Sequence, residues 1–211
     1  MFQRWFAKPP GTFDHVLADG LRVQVAPVVP AHAPRFEAGY QKLSEQSRRM
    51  RFFGQVSSLS SRQLEFLTRP DGRLHIAYAA INADLPDEPG LGVGRCIRLD
   101  GDSKIAEVAL TILDDYQGRG VGGLLHAALH RAGYAAGLRQ FLYDVSAENE
   151  RFIHHLLALG ARQVSRDRDG VRLMLPVCGD GRAVPGRERA ARRLGQLIDA
   201  VAAAPAAAPL I

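Results

Sequence analysis

The stretch Gln117-Gly118-Arg119-Gly120-Val121-Gly122-Gly123 holds residue types that bind phosphate. Glycines without side chains let a ligand come close to the backbone. N–H groups at the start of a following helix, carrying about half a positive charge, point at an anion. A pyrophosphate is the natural occupant. A second candidate for chemistry is Glu107, the one acid in the apolar run Ile105 to Leu113. A carboxylate placed there loses solvation, which raises its pKa and demands compensation. It reads either as a base or as half of an ion pair with an arginine of a neighbouring strand, Arg95 or Arg98. His126 and His130 stand four apart on one predicted helix, but no Glu follows His126 as in H-E-x-x-H and no third ligand is evident. No metal site is read from them. Neither G-x-x-x-x-G-K-[ST] nor G-x-S-x-G occurs, which removes phosphate-loop NTPase and serine hydrolase chemistry.

The elements around the loop follow from periodicity. Ile105 to Leu113 is rich in β-branched residues and suits a central strand covered on both faces. After the loop, Leu124, Leu125, Ala128, Leu129 and Ala132 recur at helical spacing, with Gly137 as the stop. Upstream, Leu21 to Val29 reads as an edge-like strand that Pro27 caps, and Pro30 opens two or three short helices ending near Thr68, with a capping box at Ser60 to Gln63. His75 to Asn82 and Gly92 to Leu99 form a hairpin that feeds the Ile105 strand. Gln140 to Ser146 is then parallel to Ile105 to Leu113 through the crossover helix. A helix over Glu148 to Leu159 ends at Gly160, and two strands, Gln163 to Arg166 and Val171 to Val177, turn at Asp169-Gly170. The class is α/β.

Two motifs compete for the glycine loop. Gly118, Gly120 and Gly123 satisfy G-x-G-x-x-G, and Asp144 follows at the end of the next strand. That dinucleotide fingerprint, however, puts its first glycine straight after the strand. Here Asp114, Asp115, Tyr116 and Gln117 intervene, and the upstream region lacks repeated βαβ units. The alternative, Gln/Arg-x-x-Gly-x-Gly/Ala, is met by Gln117, Gly120 and Gly122. On this pattern the sequence resembles the GNAT superfamily of acyl-CoA-dependent N-acyltransferases, from about Leu21 to Val177. The segment Leu43 to Phe53 is similar to the helical part of GNAT domains in bacterial Pat-type protein-lysine acetyltransferases, which borders the acceptor site. By residue type alone, Phe52 and Phe53 read as core.

The resemblance implies a GNAT fold: a mixed sheet of six to seven strands flanked by helices, with acyl-CoA between two splayed parallel strands. It implies acetyl-CoA as co-substrate, its pyrophosphate on Gln117, Gly118, Arg119, Gly120, Val121, Gly122 and Gly123. Backbone groups of Leu110, Thr111 and Ile112 would receive the acyl carbonyl and pantetheine arm. Asn149 would touch the pantetheine region, unless it serves only as a helix N-cap. Acyl transfer to an amine needs a base, an oxyanion donor and a proton for the thiolate. Glu107 matches the acid of the protein-lysine enzymes and would be the base. The tyrosine that often acts as general acid is absent, since Leu156 occupies its place, and Tyr143 reads more readily as a core aromatic. The implied activity is direct acetyl transfer to a primary amine, preferably a protein lysine. The alternatives are a small-molecule amine acceptor, or an acyl-CoA-binding regulatory module without catalysis.

With 211 residues, 46 % hydrophobic and 23 % charged, the chain fits one main domain with tails. Residues 1–20, with Phe2, Trp5, Phe6 and Phe13, suit an arm laid on the body or on a partner chain. Residues 21–178 are the GNAT domain. Residues 179–211 hold an amphipathic helix, with Leu194, Leu197, Ile198 and Val201 on one stripe, and an Ala/Pro-rich flexible end. Every cofactor-side residue precedes Gly160, so this tail is expected to pack on the domain or a partner subunit and to be dispensable for chemistry. The net charge of +5 is compatible with nucleic acid, a membrane surface or an acidic ligand such as coenzyme A, and charge alone does not choose among them; neither a nucleic acid nor a membrane is the expected partner. No signal peptide or membrane span is read, and a cytoplasmic protein is expected, with homo-oligomerisation left open. Cys96 and Cys178 suit two reduced thiols.

Overall fold

Ile76, Cys96, Val108 and Phe141 stand on one face of four neighbouring strands, each nearly without exposure, and the main core is built on that row. The computed structural model describes residues 11–52, 58–101 and 103–203. Its strands are β1 (Phe13–Val16), β2 (Arg22–Pro27), β3 (His75–Asn82), β4 (Gly92–Arg98), β5 (Ile105–Ile112), β6 (Gln140–Ser146), β7 (Arg162–Arg166) and β8 (Gly170–Pro176). They form a single sheet in the order β1-β2-β3-β4-β5-β6-β8-β7, antiparallel except for β5 beside β6. The sheet has eight strands, not six to seven. The additional strand is β1, in residues that the sequence reading assigns to an arm: Phe13 pairs with Val25 and enters the core at 8 % exposure.

The helices are α1 (Ala33–Lys42), α2 (Glu45–Phe52), α3 (Ser61–Thr68), α4 (Val121–Ala135), α5 (Glu150–Ala158) and α6 (Arg189–Ala203). The Ser60–Gln63 box starts α3 as expected, with Gln63 N–H donating to Ser60 Oγ and Ser60 N–H to Gln63 Oε1. Helix α4 lays Val121, Leu124, Leu125 and Leu129, all fully buried, on the core face. At roughly 25 cal/mol per Å² of apolar surface, each such side chain stabilises the packing by about 2 kcal/mol. The opposite face is covered only in part. Phe36 of α1 and Val93 pack on Val28, Ala77 and Ala79, and Tyr40, Leu43, Leu59 and Leu113 make a satellite cluster, which leaves that face of β6 and β8 without a helix layer among the described residues. The expectation that Phe52 and Phe53 are core falls outside the described side chains, and Phe2, Trp5, Phe6 and the Ala/Pro-rich end fall outside the described residues.

Strands β5 and β6 are in register only from Ile105–Glu107 to Gln140–Leu142. Beyond that point β5 continues on β4 as far as Ile112, and β6 continues on β8 as far as Ser146, so a gap opens between them. Two glycines of β4 accommodate the diverging end. A Cβ on Gly92 would sit 2.6 Å from Ile112 Cδ1, and one on Gly94 would sit 2.8 Å from Leu110 Cδ2, so these β5 side chains lie back over β4. No helix among the described residues is long and apolar enough to cross a membrane.

Candidate active site

The loop after β5 ends in two left-handed residues, Gly118 at φ 76° and Gly120 at φ 110°, a conformation that side chains beyond glycine rarely adopt. Gly120 caps α4. The turn leaves the N–H groups of Gly118, Arg119, Gly120, Val121 and Gly122 without a protein acceptor among the described residues, and they gather at the positive end of the α4 dipole. Such an arrangement can seat an anion. Gln117 closes its inner side, with Nε2 3.2 Å from the Ile112 carbonyl oxygen and 3.4 Å from Ser47 Oγ. The Arg119 side chain turns away. Its Nε lies 2.6 Å from Asp19 Oδ2, and its guanidinium stands over the Tyr116 ring. Val121 is fully buried. Of the loop residues expected to hold phosphate, these two offer only backbone.

Two recesses meet at the β5–β6 gap. One is a groove of about 560 Å³ bounded by the glycine loop, by the start of α5 and by Arg189, Arg193, Leu194 and Leu197 of α6. The other is a cleft of about 380 Å³ between the gap and Gln46, Ser47 and Met50 of α2, with Glu107, Thr111 and Asp144 on its wall. Leu110, Ile112, Gln117, Asn149, Arg151 and Phe152 belong to both. Asn149 accepts from the Phe152 N–H at 3.3 Å and so caps α5, while the same residue lines the passage, so its two expected roles coincide in space. The α6 residues of the groove lie beyond Gly160, which the sequence reading makes the limit of the cofactor-side residues.

No family model matches the chain. Acetyltransferase Pat of Mycolicibacterium smegmatis is 30 % identical over 141 residues, 67 % of this chain, which spans only 41 % of that protein's length. Acetyltransferase PA5475 of Pseudomonas aeruginosa is 28 % identical over 144 residues, 68 % of this chain and 77 % of the relative. The GNAT domain of S. lividans PAT superposes with a TM-score of 0.73 at 26 % identity, covering 79 % of this chain and 97 % of that domain. This chain belongs to the GNAT superfamily of acetyltransferases.

In this GNAT chain the two recesses differ in charge. The groove carries Arg151, Arg189 and Arg193 and no carboxylate. The cleft is lined by Glu107, Asp114, Asp144, Glu148 and Glu150 and by the shared Arg151; Arg172 pairs with Asp144 and Arg49 lies 4.0 Å from Glu148, which leaves Glu107, Asp114 and Glu150 without an ion pair among the described residues. A low-dielectric wall focuses such fields, so the groove attracts anions and the cleft attracts cations. Asp114 also fixes shape. It accepts the Ser44 N–H at 2.9 Å, the Ser44 hydroxyl at 2.8 Å and the Ser47 hydroxyl at 2.7 Å, which fastens α2 to the end of β5. Burial alone would raise its pKa, but these bonds outweigh it and hold the carboxyl below its ordinary value.

Glu107 is exposed, which corrects the expectation of a desolvated carboxylate in a doubly covered strand. It is the last residue of β5 that pairs with β6, on the face where α1 to α3 stop short. The ion-pair alternative with Arg95 or Arg98 is not formed either. Arg95 donates to the Leu67 carbonyl and lies 3.0 Å from His75 Nε2, and Arg98 donates to the carbonyls of Ser103 and Ala136. Arg172, whose guanidinium is held in a fork by Asp144 at 2.7 and 2.9 Å, feels the charge of Glu107. Leu156 is fully buried, so its position supplies no hydroxyl to the passage. Tyr143 is equally buried, and its hydroxyl is hydrogen-bonded to His126 Nε2 inside the core. Burial drives its pKa well above the ordinary tyrosine value, which suits the core reading. His130 accepts the Cys178 N–H, and neither histidine of the pair stands in a group of three potential ligands among the described residues.

Reading by residue type missed Asp114, Arg151, His155, Arg189 and Arg193. The one available signal was the four-residue spacing of Arg189 and Arg193, which puts both on one face of a helix.

Proposed function

We propose that the chain transfers an acetyl group from acetyl-CoA to a primary amine of a protein lysine. The observation that carries this reading is the meeting of an anion-seeking groove and a cation-seeking cleft at the gap between β5 and β6, with Glu107 on the cleft side. The free N–H groups of Gly118 to Gly122 fit a pyrophosphate, and a groove of about 560 Å³ fits an extended pantetheine arm. Past the divergence β5 has no strand partner on its β6 side, so the peptide groups that it turns that way in the stretch Leu110 to Ile112 can receive the pantetheine amides and donate to the developing oxyanion.

On the other side, the carboxylates of the cleft draw in a lysine ammonium and raise its local concentration. An ammonium cannot attack a thioester, so its proton must leave first, and Glu107 takes it directly or through water. The exposure of Glu107 and the solvent-open rim made by Glu148 and Glu150 suit an acceptor carried on a protein surface. The proton for the departing thiolate comes from the aqueous mouth of the passage, since no side-chain hydroxyl stands at Leu156. The reading implies a cytoplasmic protein, with the acetyltransferase domain running from about Leu21 to Cys178.

The test is thiol release from acetyl-CoA in the presence of a lysine-containing protein, the same protein with its lysines blocked, or spermidine. Release with the first alone supports the reading. Release with spermidine alone makes the acceptor a small amine, and tight acetyl-CoA binding without any release makes the chain an acyl-CoA-binding module.

A further inference from the structure

The positive charge of the groove comes largely from outside the part of the chain that resembles the GNAT core. Arg189 and Arg193 are one turn apart on α6, and both line the groove. A guanidinium nitrogen of Arg193 lies 3.1 Å from the place a Cβ would take on Gly120, and one of Arg151 lies 2.8 Å from the place it would take on Gly118. Both heads therefore stand directly over the two left-handed residues that shape the loop. Among the described residues, none of the three arginines has an ion-pair or hydrogen-bond partner, whereas the arginine of the loop itself, Arg119, is taken by Asp19. Cations gathered over free N–H groups repel one another, and an anion between them removes the cost.

Helix α6 is also held too firmly to be a loose tail. Leu194 and Ile198 are buried, and Leu197 reaches to 3.2 Å from the place of a Cβ on Gly123. Asp199 accepts the Gly181 N–H at 2.7 Å, and the Gly186 N–H donates to the Leu159 carbonyl at 3.0 Å. The chain that leads into α6 is thus tied to both α5 and the end of α6. The bare backbone at Gly120 and Gly123 is what lets α6 come this close to the start of α4.

We infer that α6 is the nucleotide-side wall of the donor site, with Arg193 and Arg189 gripping the pyrophosphate of the acyl donor from above while Arg151 closes the other side. The inference rests on acetyl-CoA being the donor. A guanidinium paired with a phosphate oxygen makes charge-assisted hydrogen bonds, and Arg119 is not free to make them.

The experiment uses the full chain and three donors: acetyl-CoA, acetyl-dephospho-CoA, which lacks the 3′-phosphate, and acetyl-pantetheine, which lacks every phosphate. The double variant Arg189→Gln/Arg193→Gln should raise KM for acetyl-CoA and for acetyl-dephospho-CoA alike, by about 10- to 30-fold. KM for acetyl-pantetheine should stay within about twofold, which a general loosening of the fold would not allow. Arg193→Lys should recover part of the loss. Equal weakening of all three donors, an unchanged KM for acetyl-CoA, or a loss confined to acetyl-CoA each overturns the assignment to the pyrophosphate. A wild-type protein that does not prefer acetyl-CoA to acetyl-pantetheine overturns the donor reading itself, which separates the two failures.

Discussion

Asp114 holds Ser44 by both its N–H and its hydroxyl, at 2.9 and 2.8 Å, and so fixes the start of α2 at the mouth of the carboxylate-lined cleft. Asp114→Ala releases that end of α2, and its tie to the phosphate loop runs only through Ser47 to the Gln117 side chain, leaving the loop glycines in place. KM for the amine acceptor should rise about 5- to 20-fold from the lost charge-assisted bonds, while KM for acetyl-CoA stays within about twofold. Because the folded-state pKa is lowered, the contribution of the anchor is complete above the ordinary carboxylate value of 3.8 and is lost only as pH falls through the lower folded value. Steady-state kinetics with each substrate varied in turn measures the split, and an effect falling on acetyl-CoA instead would refute the role.

The phosphate loop offers a sharper steric probe at Gly122 than at Gly120. A Cβ on Gly122 would meet nothing nearer than Ile112 at 3.8 Å, whereas Gly120 sits at φ 110° with Leu17 and Arg193 close by. Gly122→Leu should therefore fold normally and lower acetyl-CoA affinity at least tenfold, because its side chain fills the groove. Gly120→Leu should lose stability as well. Calorimetric titration and thermal melting distinguish the two, and unchanged affinity in the folded Gly122 variant would count against the loop as the pyrophosphate seat.

Three buried imidazoles make the protein sensitive to acid. Burial lowers His75 to about 4 and His130 to about 3, and it lowers His126 further than the ordinary range. They stay neutral in the fold while the unfolded chain takes up protons below the reference value of about 6.5. Stability is thus complete above that pH and falls as pH drops from about 6.5 toward 4, by about 1.4 kcal/mol per pH unit for each proton taken up. Urea midpoints at pH 7.5, 6 and 5 should decline in that order, and His130→Asn should flatten the slope by one proton. A midpoint that does not move between pH 7.5 and 5 contradicts the buried neutral state.

Much of the sheet could be read from residue types, because β3, β5 and β6 are apolar runs bounded by turn residues. Likewise, Gln117, Gly120 and Gly122 mark their loop by what they lack. β1 escaped because four residues with one buried Phe13 carry too little periodicity, and only its pairing with Val23 and Val25 makes it a strand. The pattern of α6 showed that Leu194, Leu197 and Ile198 must be covered, but not by what. Where Arg189 and Arg193 point depends on the docking against α4, which no local spacing encodes. The burial expected for Glu107 failed for a similar reason: an apolar run implies covered faces, while the extent of the α1–α3 layer is set by tertiary packing.

The central claim is that an amine gives up its proton on the Glu107 side of the β5–β6 gap and attacks a thioester held on the other. Glu107→Gln keeps the shape and hydrogen bonding of the side chain but cannot take the proton. Measured across pH with a lysine-containing protein as acceptor, kcat should fall about 10²- to 10⁴-fold, with KM for acetyl-CoA nearly unchanged. Rate should return only toward the lysine pKa of about 10.4, where the amine loses its own proton. A kcat within about threefold of wild type at neutral pH would contradict the account and require the base to be sought elsewhere.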